Sequence, residues 1–85
     1  MIGTLYLDKS ICSRDLAVAL PDCIIPSLEI VSSDTIKGLE RSMSDKVFKY
    51  PLLEIQGERF TSKNTILDIL QEIAVRMGHN PPYFD

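Results

Sequence analysis

Cys12 is the residue of this sequence whose chemistry is most reactive, and it stands near the start of a segment with helical spacing. Free amides and the dipole at a helix N-terminus favour the thiolate, which is the nucleophilic form of cysteine. Arg14, two positions on, could assist such a thiolate. The stretch from Cys12 to Asp15 contains no second cysteine, so it is not a Cys-x-x-Cys redox pair. We therefore expect Cys12 to be a semi-buried structural residue, with a reactive thiol as the alternative.

The other side chains that could do chemistry have simpler interpretations. Tyr6 is expected to pack within a strand, Ser10 to cap a helix, and Cys23 to begin a strand in the core. His79 has no acidic or thiol neighbour in the sequence, so it is neither a metal ligand nor a base. Two cysteines without a second pair predict neither a zinc site nor a disulfide framework, and no metal site is expected.

Composition excludes several classes of function. The chain has 85 residues, 45% of them hydrophobic, which is enough for one small domain. A net charge of −3 argues against direct nucleic-acid contact, and no apolar run approaches the length that spans a bilayer. We expect a reduced, intracellular and cytoplasmic protein. Four basic residues in the middle segment alternate with acids and predict a solvated face: Lys37, Arg41, Lys46 and Lys49.

The first half of the chain has the pattern β, α, β. Residues 4–7 are strand formers, and a helix over residues 11–20 follows, with Ser10 as its cap. One face of that helix is predicted to be apolar, through Ile11, Leu16, Ala19 and Leu20. In the next strand Leu28 and Ile30 share one side, and Pro26, which has no amide to donate, favours an edge position.

The second half has the pattern α, β, β, α. Helix-capping residues at 32–34 precede three apolar residues at helical spacing, Ile36, Leu39 and Met43, although Gly38 weakens a helix by about 1 kcal/mol relative to alanine. Residues 52–61 predict a hairpin with its turn at Gln56-Gly57.

The last helix, capped by Ser62 and ended by Gly78, carries the widest apolar stripe of the sequence. Its members are Ile66, Leu67, Ile69, Leu70, Ile73, Ala74 and Met77. This stripe is wider than a four-stranded sheet alone is expected to cover. The sequence thus predicts an α/β domain over residues 1–77 with a four-stranded mixed sheet and helices on both faces, followed by a Pro/aromatic tail over 78–85.

The order of elements, with proline at the start of the third strand, resembles the thioredoxin fold and, more narrowly, the N-terminal domain of the glutathione S-transferase superfamily. The residues that carry the resemblance are Gly3-Thr4-Leu5-Tyr6, Cys12 to Leu20, Tyr50-Pro51-Leu52-Leu53-Glu54-Ile55, and Gly57 to Leu67. It covers residues 2–77 and implies a cis bond before Pro51, the bond type for which cis is least costly.

The resemblance also implies a degenerate glutathione site. Ser62-Lys63 stands where family members carry a Glu-Ser pair that holds the γ-glutamyl group, and Pro51 and Leu52 would complete the site. A helix N-terminus still attracts anions, but specific glutathione recognition is impaired, so no cofactor is expected.

Non-catalytic relatives in this superfamily, such as the gamma subunit of translation elongation factor 1, serve as docking modules. The resemblance therefore implies a docking or structural part that binds other protein subunits, in the translation machinery or another ribonucleoprotein assembly. The expected contact residues are Leu67, Leu70, Ile73 and Met77 of the last helix and Tyr83 and Phe84 of the tail. The alternative is a thiol-dependent redox enzyme or a glutathione transferase that acts through Cys12.

Overall fold

The computed structural model describes residues 2–77, and these form four strands and three helices around one mixed sheet. The chain order is β1 (Gly3–Leu7), α1 (Ile11–Ala19), a 3₁₀ turn (Ile25–Ser27), β2 (Leu28–Ser32), α2 (Ile36–Ser44), β3 (Leu52–Ile55), β4 (Glu58–Phe60) and α3 (Lys63–Arg76). This is the predicted order of elements. None of the helices between residues 2 and 77 is both long and apolar enough to cross a bilayer.

The sheet has the strand order β2-β1-β3-β4, with β1 and β2 parallel and the other neighbours antiparallel. β2 lies at an edge, as Pro26 indicated, although Pro26 itself lies in the 3₁₀ turn before the strand. The hairpin turn has positive φ at both Gln56 and Gly57, which is the two-residue geometry that matches the twist of the flanking strands. The predicted mixed α/β fold is confirmed, and it is compatible with a small thioredoxin-like domain.

Side chains alternate across the sheet and form two separate apolar clusters. On one face, strand residues such as Leu5 and Leu53 pack with Leu16 of α1 and with Ile66 and Leu70 of α3. On the other face a smaller cluster consists of Tyr6, Val31, Val47 and Leu52. The first cluster anchors α1 and α3, while the second lies beneath α2 and the turn that follows it.

α2 approaches the sheet through small side chains. Gly38 and Ser42 are its buried residues, and a Cβ built on Gly38 would lie 1.6 Å from the carbonyl oxygen of Ser32. The helix begins at Thr35, whose hydroxyl accepts a hydrogen bond from the Gly38 amide at 2.9 Å, and not within the predicted cap cluster 32–34. Backbone contact this close leaves no room for a side chain at position 38.

A C-terminal capping motif fixes the end of α2. Lys46 has φ 58°, its amide donates to the carbonyl of Met43 at 3.1 Å, and the amide of Val47 donates to the carbonyl of Ser42 at 2.8 Å. These two bonds define a Schellman motif with Lys46 in the left-handed position that glycine usually occupies. The motif directs Val47 into the smaller apolar cluster.

Two predictions about the first half of the chain are wrong. The buried face of α1 consists of Ser13 and Leu16, with Leu20 just after the helix, whereas Ile11 and Ala19 are exposed. Cys23 does not begin a strand: it lies half-buried in the turn before residue 25, and β2 starts five residues later. In β2 itself Leu28 is buried but Ile30 is partly exposed, because an edge strand is covered less completely than a central one.

Candidate functional site

The loop after β1, the residue before β3 and the start of α3 meet at one end of the sheet. Leu7 pairs with Ser32, Tyr6 with Leu52, and Leu53 with Phe60, so the end of β1 lies beside the start of β3, which in turn lies beside the end of β4. The ammonium of Lys63 lies 3.7 Å from a carboxylate oxygen of Asp15, which joins α3 to α1 there. This end of the sheet therefore carries the predicted glutathione-site residues.

Asp8 organises the start of α1. Its Oδ1 accepts hydrogen bonds from the Ser10 amide at 3.0 Å, the Ser10 hydroxyl at 2.5 Å and the Ser13 hydroxyl at 2.6 Å. The Ser10 hydroxyl accepts from the Ser13 amide at 3.2 Å, so Ser10 is the helix cap, as predicted. Burial would raise the pKa of Asp8, but the bonds from Ser10 and Ser13 outweigh it and lower that pKa.

Cys12 occupies the second helical position of α1 and is exposed. The expectation that it is semi-buried is wrong, because the buried position of this helical turn is taken by Ser13. Asp8 is unsuited to act as its base, since a general base needs a pKa near the working pH and that of Asp8 is lowered. The structure places Cys12 at an accessible helix start, while Asp8 is occupied by Ser10 and Ser13.

The remaining residues of the predicted glutathione site lie at this end in different environments. Pro51 is buried and follows a cis peptide bond, as the resemblance implied. The side chain of Leu52 is buried in the smaller apolar cluster. Ser62 is exposed and precedes α3, but its hydroxyl makes no capping bond to that helix. No group of three or more metal-ligating side chains occurs among residues 2–77.

A polar network lies on the α2 side of the sheet. The buried Tyr6 donates its hydroxyl hydrogen to Asp45 at 2.6 Å, and Arg41 donates to the same oxygen of Asp45 at 2.7 Å. Arg41 also binds Glu29 of β2 through both of its terminal nitrogens, at 2.9 and 2.7 Å. The guanidinium of Arg59 donates to the backbone carbonyls of Asp45 and Lys46. The network ties α2 and its C-terminal turn to three strands.

The pKa values in this network are those of a structural cluster. Burial, followed by the hydrogen bond to Asp45, raises the pKa of Tyr6 to about 12. The bond from Tyr6, with that from Arg41, lowers the pKa of Asp45, and Arg41 lowers that of Glu29. Tyr6 is buried in the smaller apolar cluster and keeps its proton at neutral pH, so it is a packing residue here, as predicted.

The outward face of α2 carries exposed apolar side chains. Ile36 is 79% exposed, Leu39 46% and Met43 66%, while Gly38 and Ser42 face the sheet. We call the surface formed by Ile36, Leu39 and Met43 the α2 stripe. The helical spacing of these residues was predicted, but spacing of this kind normally indicates the face that packs on the core. In α2, by contrast, these apolar residues face the solvent.

The predicted contact surface on α3 is largely used within the domain. Leu70 is fully buried, so it is not available for an interaction, and Leu67 and Ile73 are half-buried against the same core. Met77 caps the helix and is 45% exposed. The stripe was expected to be wider than a four-stranded sheet alone covers, and in the structure α1 packs against it together with the sheet, so Leu70 needs no cover from outside the domain. Tyr83 and Phe84 lie outside the described residues.

A shallow groove lies between the β3–β4 hairpin and the C-terminal half of α3. Its volume is about 250 Å³, and apolar and polar side chains line it in equal number: Ile55, Phe60, Ile69 and Ile73 with Gln56, Glu58, Glu72 and Arg76. Glu72 at its rim accepts a hydrogen bond from Arg76 at 2.8 Å. The groove is open to solvent, whereas sites for small ligands are concave and bury most of the ligand surface.

Comparison of the chain with known protein families, with curated proteins and with solved structures returns no match.

The exposed apolar surface that the sequence did not predict is the α2 stripe. One signal could have identified them: Gly38 and Ser42 are four residues apart, and small residues at that spacing allow close backbone approach. A helix that faces a sheet through small residues must turn its large residues elsewhere. That consequence directs Ile36 and Met43 outward.

Proposed function

We propose that this chain is a non-catalytic docking module of a larger protein assembly, and that the α2 stripe is its contact surface. The observation that carries the proposal is the orientation of the faces of α2: the helix buries glycine and serine and exposes three large apolar side chains. Full burial of an isoleucine, leucine or methionine side chain contributes about 1.5–3 kcal/mol. Because the α2 stripe is exposed, this stabilisation is gained only when a partner binds and removes the stripe from water.

The spacing of the stripe favours a protein partner. Ile36, Leu39 and Met43 are at positions i, i+3 and i+7, which is the pattern by which a helix inserts anchors into an apolar surface. Aromatic stacking residues and a dense cationic patch, by which proteins bind single-stranded nucleic acid, are absent from the described part of this helix. The resemblance to non-catalytic transferase-like domains supports a cytoplasmic assembly, with the translation machinery or another ribonucleoprotein complex as its setting.

A matched pair of double variants tests the proposal. Ile36→Gln with Met43→Gln makes the α2 stripe polar, while Ile11→Gln with Val18→Gln makes the same change at exposed positions of α1. Both variants should keep the fold, because all four side chains are exposed. We expect the native assembly, isolated from the source cells through a tagged chain, to lose its other subunits in the α2 variant alone. Equal retention by both variants would contradict the proposal.

The exposure of Cys12 favours a second candidate, a thiol-dependent redox or glutathione-transferase activity. An accessible cysteine at the second position of a helix can meet a substrate without any opening of the fold. The test compares the wild type with Cys12→Ser for retention on immobilised glutathione and for the rate of thiol modification. Retention that depends on Cys12, with modification faster than in an unfolded control, would support this candidate. Neither effect is expected from a docking module.

A further inference from the structure

We propose that a second copy of this chain binds the α2 stripe, with the two α2 helices antiparallel across a two-fold axis. The inference rests on the proposed docking function of this face and names the partner that its chemistry fits. Two-fold pairs are the commonest form of protein oligomer, and they require that a surface be complementary to itself. The α2 stripe and its charged flank meet that requirement.

The apolar residues of the stripe are arranged symmetrically. At about 100° per residue, Ile36, Leu39 and Met43 lie within an arc of about 60° of the helix surface. Ile36 and Met43 stand at the two ends of the stripe, with Leu39 between them. When two such helices run antiparallel about a centre between residues 39 and 40, Ile36 of each copy meets Met43 of the other. The two Leu39 side chains then meet near the axis.

The charged residues beside the stripe complete the pairing. Lys37 and Glu40 lie on the same flank of α2, both exposed, and neither takes part in an ion pair among residues 2–77. In the antiparallel arrangement Lys37 of one copy and Glu40 of the other are about two residues, or about 3 Å, apart along the helix axes. The nearby Arg41 is already bound to Glu29 and Asp45, so it adds no free cation to this flank.

Charge distribution along the chain agrees with this pairing. Residues 37–49 contain four cations and two acids, a net charge of +2. Because the net charge of the chain is −3, the other residues together have a net charge of −5. Two copies that met through the remaining surface, whose net charge is negative, would repel each other. The α2 flank, which has one unpaired lysine and one unpaired glutamate, avoids that repulsion.

The size of the contact predicts weak association. Stable interfaces bury about 800 Å² on each partner, and three side chains with their charged flank supply less than that. We therefore expect a dimer that dissociates on dilution, with a Kd between about 10 µM and about 1 mM. Sedimentation of the purified chain across that concentration range measures the equilibrium directly.

Charge reversal gives the decisive version of the experiment. K37E makes the flank wholly acidic and E40K makes it wholly basic, so each variant alone should associate at least about tenfold more weakly than the wild type. An equimolar mixture of K37E and E40K should regain association, because the acidic flank of one then faces the basic flank of the other. The α1 control, I11Q with V18Q, should sediment like the wild type.

The outcomes separate this inference from the docking proposal. A purified chain that stays monomeric up to about 1 mM, or a mixture that associates no better than its parts, overturns the second copy as partner. If the assembly isolated from source cells still depends on the α2 stripe in that case, the docking function stands with a different partner. A dimer that I36Q with M43Q abolishes and the mixture restores supports the inference.

Discussion

Replacement of Gly38 by alanine tests how α2 is held against the sheet. The added Cβ would lie 1.6 Å from the carbonyl oxygen and 2.6 Å from the carbonyl carbon of Ser32, which are backbone atoms that no rotamer change can move. α2 would have to shift away from β2 to restore ordinary contact distances. Such a shift would stretch the hydrogen bond from Tyr6 to Asp45, which is 2.6 Å long in the native chain.

Whether Gly38→Ala raises or lowers the free energy of unfolding depends on two opposing effects, helix propensity and the steric cost of the added methyl group. Helix propensity favours alanine over glycine by about 1 kcal/mol. Against this, an extra methyl group in a packed interface costs about 1–3 kcal/mol, and more where backbone must move, while loss of the Tyr6 hydrogen bond costs about 1 kcal/mol. We therefore expect Gly38→Ala to lower the free energy of unfolding by about 2 kcal/mol, a large share of what a chain this short can have.

Urea unfolding followed by circular dichroism measures this change. Ser44→Ala, at an exposed position of the same helix, is the control for propensity, and it should stabilise the protein by a few tenths of a kcal/mol at most. The two substitutions should therefore shift the urea midpoint in opposite directions. A Gly38→Ala protein as stable as the wild type, or more stable, would refute the close approach of α2 to Ser32.

Four further outcomes follow from the described contacts. Leu70→Ala should cost about 2–5 kcal/mol in urea unfolding, whereas Met77→Ala should cost less than about 1 kcal/mol; equal losses would contradict the core position of Leu70. Because the pKa of Asp8 is lowered on folding, its contribution is present above its ordinary pKa of 3.8 and is lost as pH falls below that value, and Asp8→Asn should remove this component of the pH–stability curve. Because the pKa of Tyr6 is raised from 10.0 to about 12, its contribution is present below pH 10 and is lost as pH rises toward 12; Tyr6→Phe should remove a late-titrating component from the phenolate absorbance curve. Lys46→Gly should stabilise the protein by about 1 kcal/mol or less by relieving a positive φ, and a destabilised variant would show that this side chain has a role beyond the cap.

Local patterns were sufficient to predict the elements of this fold. Gln56-Gly57 between two short strand-like segments indicated the hairpin, and the spacing from Ile66 to Ala74 indicated α3, because turn chemistry and helical periodicity are properties of neighbouring residues. The edge position of β2 followed from Pro26 for a similar reason, although the proline lies just outside the strand.

It was harder to predict which face of each helix is buried. Ile36 and Met43 have the spacing of a core face, and only the approach of Gly38 to Ser32, a contact between distant backbone segments, turns them outward. The prediction of the core positions of α1 was wrong for a related reason. Ser13 is buried, where its hydroxyl donates to Asp8, and Ile11 is exposed. Periodicity locates an apolar face, but close contacts between elements decide what that face meets.

How much of the apolar stripe of α3 is buried also depends on tertiary structure. The apolar stripe of this helix was expected to need a partner, yet Leu70 is fully buried in the cluster that α1, α3 and the sheet form within the domain. The exposed surface that supports docking lies on α2 instead. The prediction of a docking role thus stays a proposal, with a different surface to test.

Methionine oxidation in the native assembly tests the central claim most directly. Met43 belongs to the α2 stripe, and Met77, at the end of α3, is an internal control; both are exposed in the chain alone. Sulfoxide formation reports solvent access to each sulfur. In the assembly isolated from source cells, Met43 should oxidise much more slowly than in the dilute purified chain, while Met77 should change little. Equal oxidation of Met43 in both samples would contradict docking through α2.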